Sequence, residues 1–339
     1  MLLTRCITPT PEASTPQSVH SAMNTTPSIS DRPYTVVGGT RTERIVSGAK
    51  RTTLVVLHRG GKYRRFELFD DLQRLGFDEV LSIEPAGASY DIEALARQYA
   101  GVRFLLLHRS LSIGEQVNVG IQEAFGRVVM TVWNDTEPER IAGKSVVRLA
   151  EEEDVLCVVP MLRTDRGEVI PSLSAPAFDG GRLRVIPLAP TADGATSLYP
   201  ADYVGIYRRE RFLQLGGFDP AIAAPYWQKL DFGFRAHLWG EAIRYHSGIR
   251  VTAASGLEPE NTTPDAGYRR FYLKNLMVRF RADEGTLPAA RFPGFYLKTG
   301  GGLAASWNLF REIQRWVQTH RYRFVQDARR ITELWEPAE

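Results

Sequence analysis

The stretch GRVVMTVWNDTEPER, Gly126 to Arg140, sets an apolar run, Val128 to Trp133, directly before Asn134, Asp135, Thr136, Glu137 and Pro138. The run reads as a buried strand, and its carboxyl end delivers one amide and one carboxylate to a turn. In open α/β sheets the ligand crevice lies outside the carboxyl ends of the strands. A carboxylate there can serve Mg²⁺ or Mn²⁺, which take hard oxygen ligands and need only one or two protein carboxylates beside phosphate oxygens. The competing reading is local, with NDTEP capping a helix that starts near Pro138. Polar groups stand at two other strand ends: His58 and Arg59 follow TTLVVL, and Glu84 closes DEVLSIE. A further carboxylate, Asp231, lies within YWQKLDFGFRAHLWGE.

The elements that would position these groups alternate at short spacing. TTLVVL, DEVLSIE, VRFLLLH and the Val128 run read as strands. Between them, KYRRFELFDDLQRLG places Phe66, Phe69, Leu72 and Leu75 at helical spacing, and Gly76 is a natural stop. YDIEALARQYAG is a helix opened by Asp91, and SIGEQVNVGIQEAFG is one with Ser112 as N-cap and Asn118 on its way to the Val128 strand. Such alternation predicts a mostly parallel central sheet flanked by helices. Farther on, DVLCVVPML is a strand, and a Pro/Gly-rich loop region runs to about Pro200. YVGIYRRERFLQLGGFDP supplies a strand, a short helix and a Gly-Gly turn. AIRYHSGIRVTA reads as two short strands. From Gly267 the chain turns basic and helical, with Trp307, Phe310, Ile313 and Val317 on one face that should pack on the rest of the molecule.

Composition sets the class. The chain has 339 residues, 43% apolar and 24% charged, which is ordinary for a globular protein. A net charge of +3 is too small to argue for nucleic acid. The two cysteines, Cys6 and Cys157, make no disulfide framework, and no apolar run approaches the length of a membrane span. The opening residues lack a secretory apolar core, so the cytoplasm is the expected compartment. Residues 1–50, rich in Ser, Thr and Pro, read as a disordered tail. Within them VVGGTRTERIV is either a plain Gly-Gly turn or a loop similar to the phosphate loop of sugar nucleotidyltransferases. The expected division is then 51–282 as one domain, in halves 51–137 (read as a nucleotide-binding layer) and 138–265, and 283–339 as a helical extension.

In this order the pieces resemble glycosyltransferase family 2, from about Thr52 to Arg281. TTLVVLHRGG is similar to the family's first strand and nucleotide-binding turn, and GEQVNVGIQEAFGRVVMTVWNDTEPE to its helix and metal-binding strand end. RRERFLQLGGFDP is similar to its Gly-Gly-Phe-Asp turn, and YWQKLDFGFRAHLWGEAIRY to its acceptor-side helix. The resemblance implies an α/β GT-A-like nucleotide-diphospho-sugar transferase fold with a C-terminal helical extension. It also implies an inverting, metal-dependent transfer of sugar from a nucleoside-diphosphate sugar to a glycan, lipid-linked or phosphate-bearing acceptor.

Under that resemblance Asp135 would hold the divalent cation, Mn²⁺ or Mg²⁺, and Asn134 would contact ribose or a metal-bound water. His58, Arg59, Glu84 and Asn118 would line the nucleotide cleft. The acceptor-side helix departs from the pattern: where the family generally has Glu-Asp-x-Asp, this chain has Gln228, Lys229, Leu230 and Asp231. A lysine stands at the usual base. Either Asp231 serves as base, or the acceptor is already anionic and Lys229 helps bind it, or the site only binds nucleotide sugar without turnover, or a base comes from elsewhere, such as Asp219. The histidine that often completes the metal shell is missing from RVTAASG, and His246 is expected to be structural. The basic C-terminal residues Arg269, Arg270, Arg279 and Arg281 are either a solvated face or a peripheral contact with the inner face of a membrane.

Overall fold

In the computed structural model the described residues are 33–39, 52–59, 65–87, 91–139, 146, 148, 154–179, 182–253 and 256–335. The first half builds β1 (Tyr34–Gly38), β2 (Thr52–Leu57), α1 (Arg65–Arg74), β3 (Glu79–Glu84), α2 (Ile92–Gln98), β4 (Val102–Leu107), α3 (Ile113–Glu123), β5 (Val128–Trp133) and β6 (Thr136–Pro138). The second half follows with β7 (Cys157–Arg163), β8 (Leu173–Asp179), β9 (Arg182–Leu188), β10 (Gly205–Arg208), α4 (Arg209–Leu215), α5 (Pro225–Leu238) and β11 (Ile243–Ala253). The chain ends in α6 (Ala266–Phe271, continued by a π-turn to Leu276), β12 (Arg279–Arg281), β13 (Glu284–Thr286), α7 (Phe292–Thr299), α8 (Leu303–His320) and α9 (Ala328–Glu333).

Among the described residues nine strands form one sheet in the order β1-β4-β3-β2-β5-β10-β7-β11-β6. Strands β2, β3, β4 and β5 run parallel, β10 reverses between β5 and β7, and β7 and β11 are again parallel to each other. Six strands therefore share one direction, against β1, β10 and β6. Every residue of β2, β3 and β5 is buried. That is what a strand covered by helices on both faces requires, and it explains their continuous apolar runs. Helix α3 packs so close to β2 that a Cβ on Gly120 would stand 2.6 Å from Val55 Cγ1. Ser112 caps α3 in a capping box with Glu115, as its sequence predicts.

The structure departs from the sequence reading in several places. Tyr34–Gly38, inside the stretch read as a tail, is an edge strand antiparallel to β4, with Tyr34 buried and its hydroxyl on Glu123 Oε1 at 2.7 Å. The rest of that stretch lies outside the described residues, as does most of the phosphate-loop candidate after Gly39. AIRYHSGIRVTA is one strand, β11, whose register shifts between His246 and Arg250. The Pro/Gly-rich region contains a hairpin, β8–β9. The boundary expected after residue 282 falls in the turn of the β12–β13 hairpin, where Ala282 and Asp283 both take left-handed φ, 48° and 59°, as tight hairpin turns demand.

Helix α5 joins the two cores. All its residues but Pro225 are buried. Phe232 and Ala236 pack in the sheet core, while Trp227, Leu230, Phe234 and Leu238 pack in a second core with Phe271, Phe310, Ile313 and Val317. The C-terminal helices thus share a core with the sheet layer through α5. Trp307, expected on that buried face, is 42% exposed.

Candidate active site at the strand ends

The parallel ladders carry the ends of β2, β3 and β5 to one rim. Leu57 is level with Trp133, so Asn134 and Asp135 emerge beside His58 and Arg59. The Asn134 N–H donates to the Leu57 carbonyl at 2.8 Å, and the Arg59 N–H donates to Asn134 Oδ1 at 3.0 Å. Asn134 therefore clamps the two turns together. Trp133 packs under the Arg59 guanidinium, 4.6 Å from its ring centre. The helix-cap reading of NDTEP fails: Thr136–Pro138 is strand β6, paired with β11, and Thr136 Oγ1 bonds back to the Trp133 carbonyl at 2.9 Å.

Arg59 fills the mouth. Its Nε donates to both Asp135 oxygens, at 3.0 and 2.8 Å, and its Nη1 donates to Asp202 Oδ2 at 2.6 Å. Burial alone would lower the guanidinium pKa, but Asp135 and Asp202 outweigh it and raise the value. Asp202 was not singled out in the sequence. It precedes β10 in a left-handed conformation, φ 49°, and the next residue, Tyr203, is left-handed as well, φ 62°. Non-glycine residues held there store of order 1–3 kcal/mol of strain, a cost that clusters at functional sites. The Trp133 indole N–H donates to the Asp202 carbonyl at 2.9 Å and helps hold this turn. Burial raises the Asp202 pKa against the pull of Arg59.

At the neighbouring strand ends the nucleotide-side candidates form a buried chain. His58 Nε2 lies 2.7 Å from Ser82 Oγ and 3.5 Å from Glu84 Oε1, and Ser82 Oγ donates to Glu84 Oε1 at 2.7 Å. Arg65 bonds the other Glu84 oxygen and reaches Asp91 Oδ1 at 2.5 Å. Asp91 occupies the N-cap position of α2 but makes no cap bond, because its carboxylate takes Arg65 instead. Burial, then the Arg65 charge, lowers His58 to about 3, so this imidazole is neutral near pH 7. Burial raises the Glu84 pKa in spite of Arg65 and Ser82.

Two candidates stand apart from this rim. Asn118 bridges α3 to the Gly-Gly-Phe turn, donating to the Phe218 carbonyl and accepting from the Phe218 N–H, both at 2.8 Å. It holds that turn, and its amide is spent there. Asp231 is fully buried and bound by Arg235 Nη2 at 2.9 Å, Lys274 Nζ at 3.2 Å and Asn275 Nδ2 at 2.8 Å. Sealed among these donors, the carboxylate is out of contact with any bound molecule. Asp219 belongs to the same cluster, bound by Arg270 Nε at 2.8 Å and Lys274 Nζ at 2.7 Å. Burial opposes ionisation there, yet the Lys274 and Arg270 charges hold its carboxyl well below the usual range. These groups lock α5 to α6. Lys229, at the usual base position, points the other way and pairs with Glu260, 5.4 Å from the Tyr203 ring centre. His246 Nδ1 accepts from the Gly248 N–H at 2.9 Å, a structural role inside the β11 irregularity.

Among the described residues no three His, Cys, Asp or Glu side chains assemble to hold a metal by themselves. Asp135 nevertheless fits a cation that arrives with a diphosphate. Its carboxylate is 41% exposed at the rim, and a cationic group already lies across both its oxygens. One hard carboxylate is enough when phosphates supply further ligands.

No protein-family model matches the chain, and no curated protein sequence matches it. Solved structures do. A crystal structure of GalNAc-T7 with UDP, GalNAc and Mn²⁺ is similar over 81% of this chain, with a TM-score of 0.53 and 14% identity. The S. aureus TarS structure is similar over 78% of the chain at a TM-score of 0.48 and 16% identity. The matches cover 58% and 42% of those chains, so this chain spans less than two thirds of either. At such identities the likeness concerns the fold, which is that of the GT-A glycosyltransferases.

Proposed function

We propose that the chain is a glycosyltransferase that binds a nucleoside-diphosphate sugar at the rim formed by β2, β3 and β5. The observation that carries this reading is the convergence of His58, Arg59, Glu84, Asn134 and Asp135 at adjacent strand ends of a GT-A sheet. GalNAc-T7, a structure with the same fold, was crystallised with UDP and Mn²⁺, which supports a nucleotide donor here too.

In this reading the buried pair Glu84 and His58 forms the floor beneath the nucleoside, and Asp135 faces the diphosphate. Asp135 would hold a divalent cation, Mn²⁺ or Mg²⁺, whose chemistry is to neutralise charge on the departing phosphate oxygens. Arg59 is freed for the diphosphate when its bond to Asp135 is given up, because a guanidinium matches phosphate oxygens as well as carboxylate. The acceptor oxygen attacks the anomeric carbon, the bond to the diphosphate breaks with its electron pair leaving on phosphate, and the acceptor proton passes to a base. With Asp231 and Asp219 sealed, Asp202 is the carboxylate for that proton. Burial raises its pKa toward the range useful for general-base work. A single base beside one displacement agrees with the inverting outcome that the family resemblance implies.

A second reading, a nucleotide-sugar-binding protein without turnover, is favoured by one observation: the usual base position holds Lys229, tied to Glu260. Calorimetry with UDP and GDP, with and without Mn²⁺, followed by donor-sugar hydrolysis, separates the two. Binding together with hydrolysis that Asp202→Asn abolishes supports the enzyme. Binding with no turnover in any condition supports the second reading, and no binding at all ends both.

Cytoplasmic residence and peripheral membrane contact remain part of the proposal. Among the described residues no helix is long and apolar enough to cross a membrane.

A further inference from the structure

A cavity of about 1020 Å³ opens between the β8–β9 hairpin, the first turn of α5 and the C-terminal helices. It is separate from the strand-end rim but adjoins it through α5: Tyr226 and Trp227 line the cavity, and Lys229 faces Tyr203 and Glu260 within the same helix. The Tyr203 hydroxyl donates to the Pro225 carbonyl at 3.2 Å, tying the strained turn beside Arg59 to the start of α5.

Two kinds of side chain dominate the wall. Aromatic rings come from Tyr226, Trp227, Tyr268 and Tyr272, with Trp227 and Tyr268 tilted against each other at 4.8 Å between ring centres. Cations come from Arg182, Arg269, Arg279, Lys298 and Arg329, against Asp265 as the acid among the described lining residues. Asp265 is already engaged, accepting the Tyr268 N–H at 2.9 Å as the cap of α6. The arginines differ in how firmly they are held. Arg279 meets Asp327 only at 3.6 Å and Arg329 pairs with Glu333 on the surface, whereas Arg269 is anchored by Nη2 on Ser306 Oγ at 2.6 Å with its buried Nε left without an acceptor among the described residues. An exposed pair such as Arg329–Glu333 is worth only tenths of a kcal/mol to about 1 kcal/mol, and the long Arg279–Asp327 contact is no hydrogen bond, so an anion can replace either at little cost.

We infer that this cavity binds an acidic oligosaccharide, one bearing phosphate or carboxylate groups, and delivers it to the strand-end rim as acceptor. The half-buried Tyr268 and Tyr272 rings offer apolar surface to sugar rings, with Tyr226 and Trp227 packed behind them, the guanidiniums offer forks to the anionic groups, and the volume suits a ligand of a few sugar units. A lipid surface is the poorer fit, since the basic groups line a concavity together with aromatic rings. The delivery step rests on the transferase reading above; the binding step does not.

The test is calorimetry on the full chain with five probes. They are phosphorylated maltopentaose, a hyaluronan tetrasaccharide, unmodified maltopentaose, inorganic tripolyphosphate, and vesicles of equal parts phosphatidylglycerol and phosphatidylcholine. Either acidic saccharide should bind about tenfold or more tightly than both the neutral sugar and tripolyphosphate, the gain expected of one charge-assisted contact added to ring stacking. Which of the two wins identifies phosphate or carboxylate. Arg182→Ala, on an exposed hairpin residue, and Tyr268→Ala should each weaken that binding severalfold while UDP binding holds. Failure of both acidic saccharides, equal binding of tripolyphosphate, or binding of vesicles alone overturns the inference. Saccharide binding without any nucleotide binding would uphold the binding step, overturn the delivery step and sink the transferase reading.

Discussion

At the scale of single residues, the proposed chemistry turns on Arg59 and Asp135. In this structure the guanidinium occupies the carboxylate, so a cation can reach Asp135 only when Arg59 finds another partner. Mn²⁺ should therefore bind weakly to the free protein and more tightly once UDP is present, as titration calorimetry can show. Arg59→Ala should tighten Mn²⁺ binding without nucleotide and weaken UDP binding about tenfold or more, the loss of a charge-assisted bond to phosphate. An unchanged Mn²⁺ affinity would mean that Arg59 does not guard the site. Asp231 makes a contrasting case. Removing one member of its buried cluster leaves the others uncompensated, so Asp231→Ala should cost roughly 3–5 kcal/mol of stability in chemical denaturation. If instead Asp231→Asn abolished turnover with stability intact, the base would have to be reassigned.

The elements explain why the rim holds its shape. Helix α5 has neighbours on both sides, and Gly233 is where the Leu198 backbone comes closest: a Cβ there would stand 2.1 Å from the Leu198 carbonyl oxygen. Gly233→Ala must push β8's neighbouring segment or the helix itself, so it should destabilise by a few kcal/mol, as overpacking does. A melting temperature within a degree of wild type would show that the segment yields freely. Much of this architecture was legible beforehand. Strands β2, β3 and β5 announce themselves as apolar β-branched runs, and α3 by its spacing and its Ser112 cap. Edge strand β1 was not, because YTVVG alternates only briefly and acquires its meaning from pairing with β4. Asp202 was equally hidden: ADY before a strand looks like any loop, and its placement depends on Arg59, 143 residues earlier in the chain.

Across the whole molecule, two buried histidines tie stability to pH. Burial lowers His58 to about 3 and His237 to about 4, the latter despite a bond to the Ser197 carbonyl. The unfolded chain protonates these groups near pH 6.5 and the folded chain resists, so stability falls as pH drops below 6.5 toward the folded values. At about pH 5 each histidine should have cost about 2 kcal/mol. Asp219 adds to the same trend at lower pH, since its depressed pKa contributes stability that is present above about 3.9 and lost as pH falls below it. Urea denaturation from pH 7 to pH 4 should show this slope, and His237→Gln should flatten it; a slope unchanged in the variant would assign the loss to other groups.

By itself the sequence determined which segments must be buried strands and helices and which polar residues stand at strand ends, because periodicity, turn residues and caps are local properties of the chain. It therefore brought Asp135, His58, Arg59 and Glu84 into view together. Only the tertiary structure decided which carboxylates are open and which are sealed. Asp231 and Asp202 are both single aspartates near apolar residues in the chain, but α6 brings Lys274 and Asn275 onto the first, while the left-handed turn before β10 turns the second toward Arg59. The availability of a charge depends on which distant groups surround it, and only folding brings those groups together.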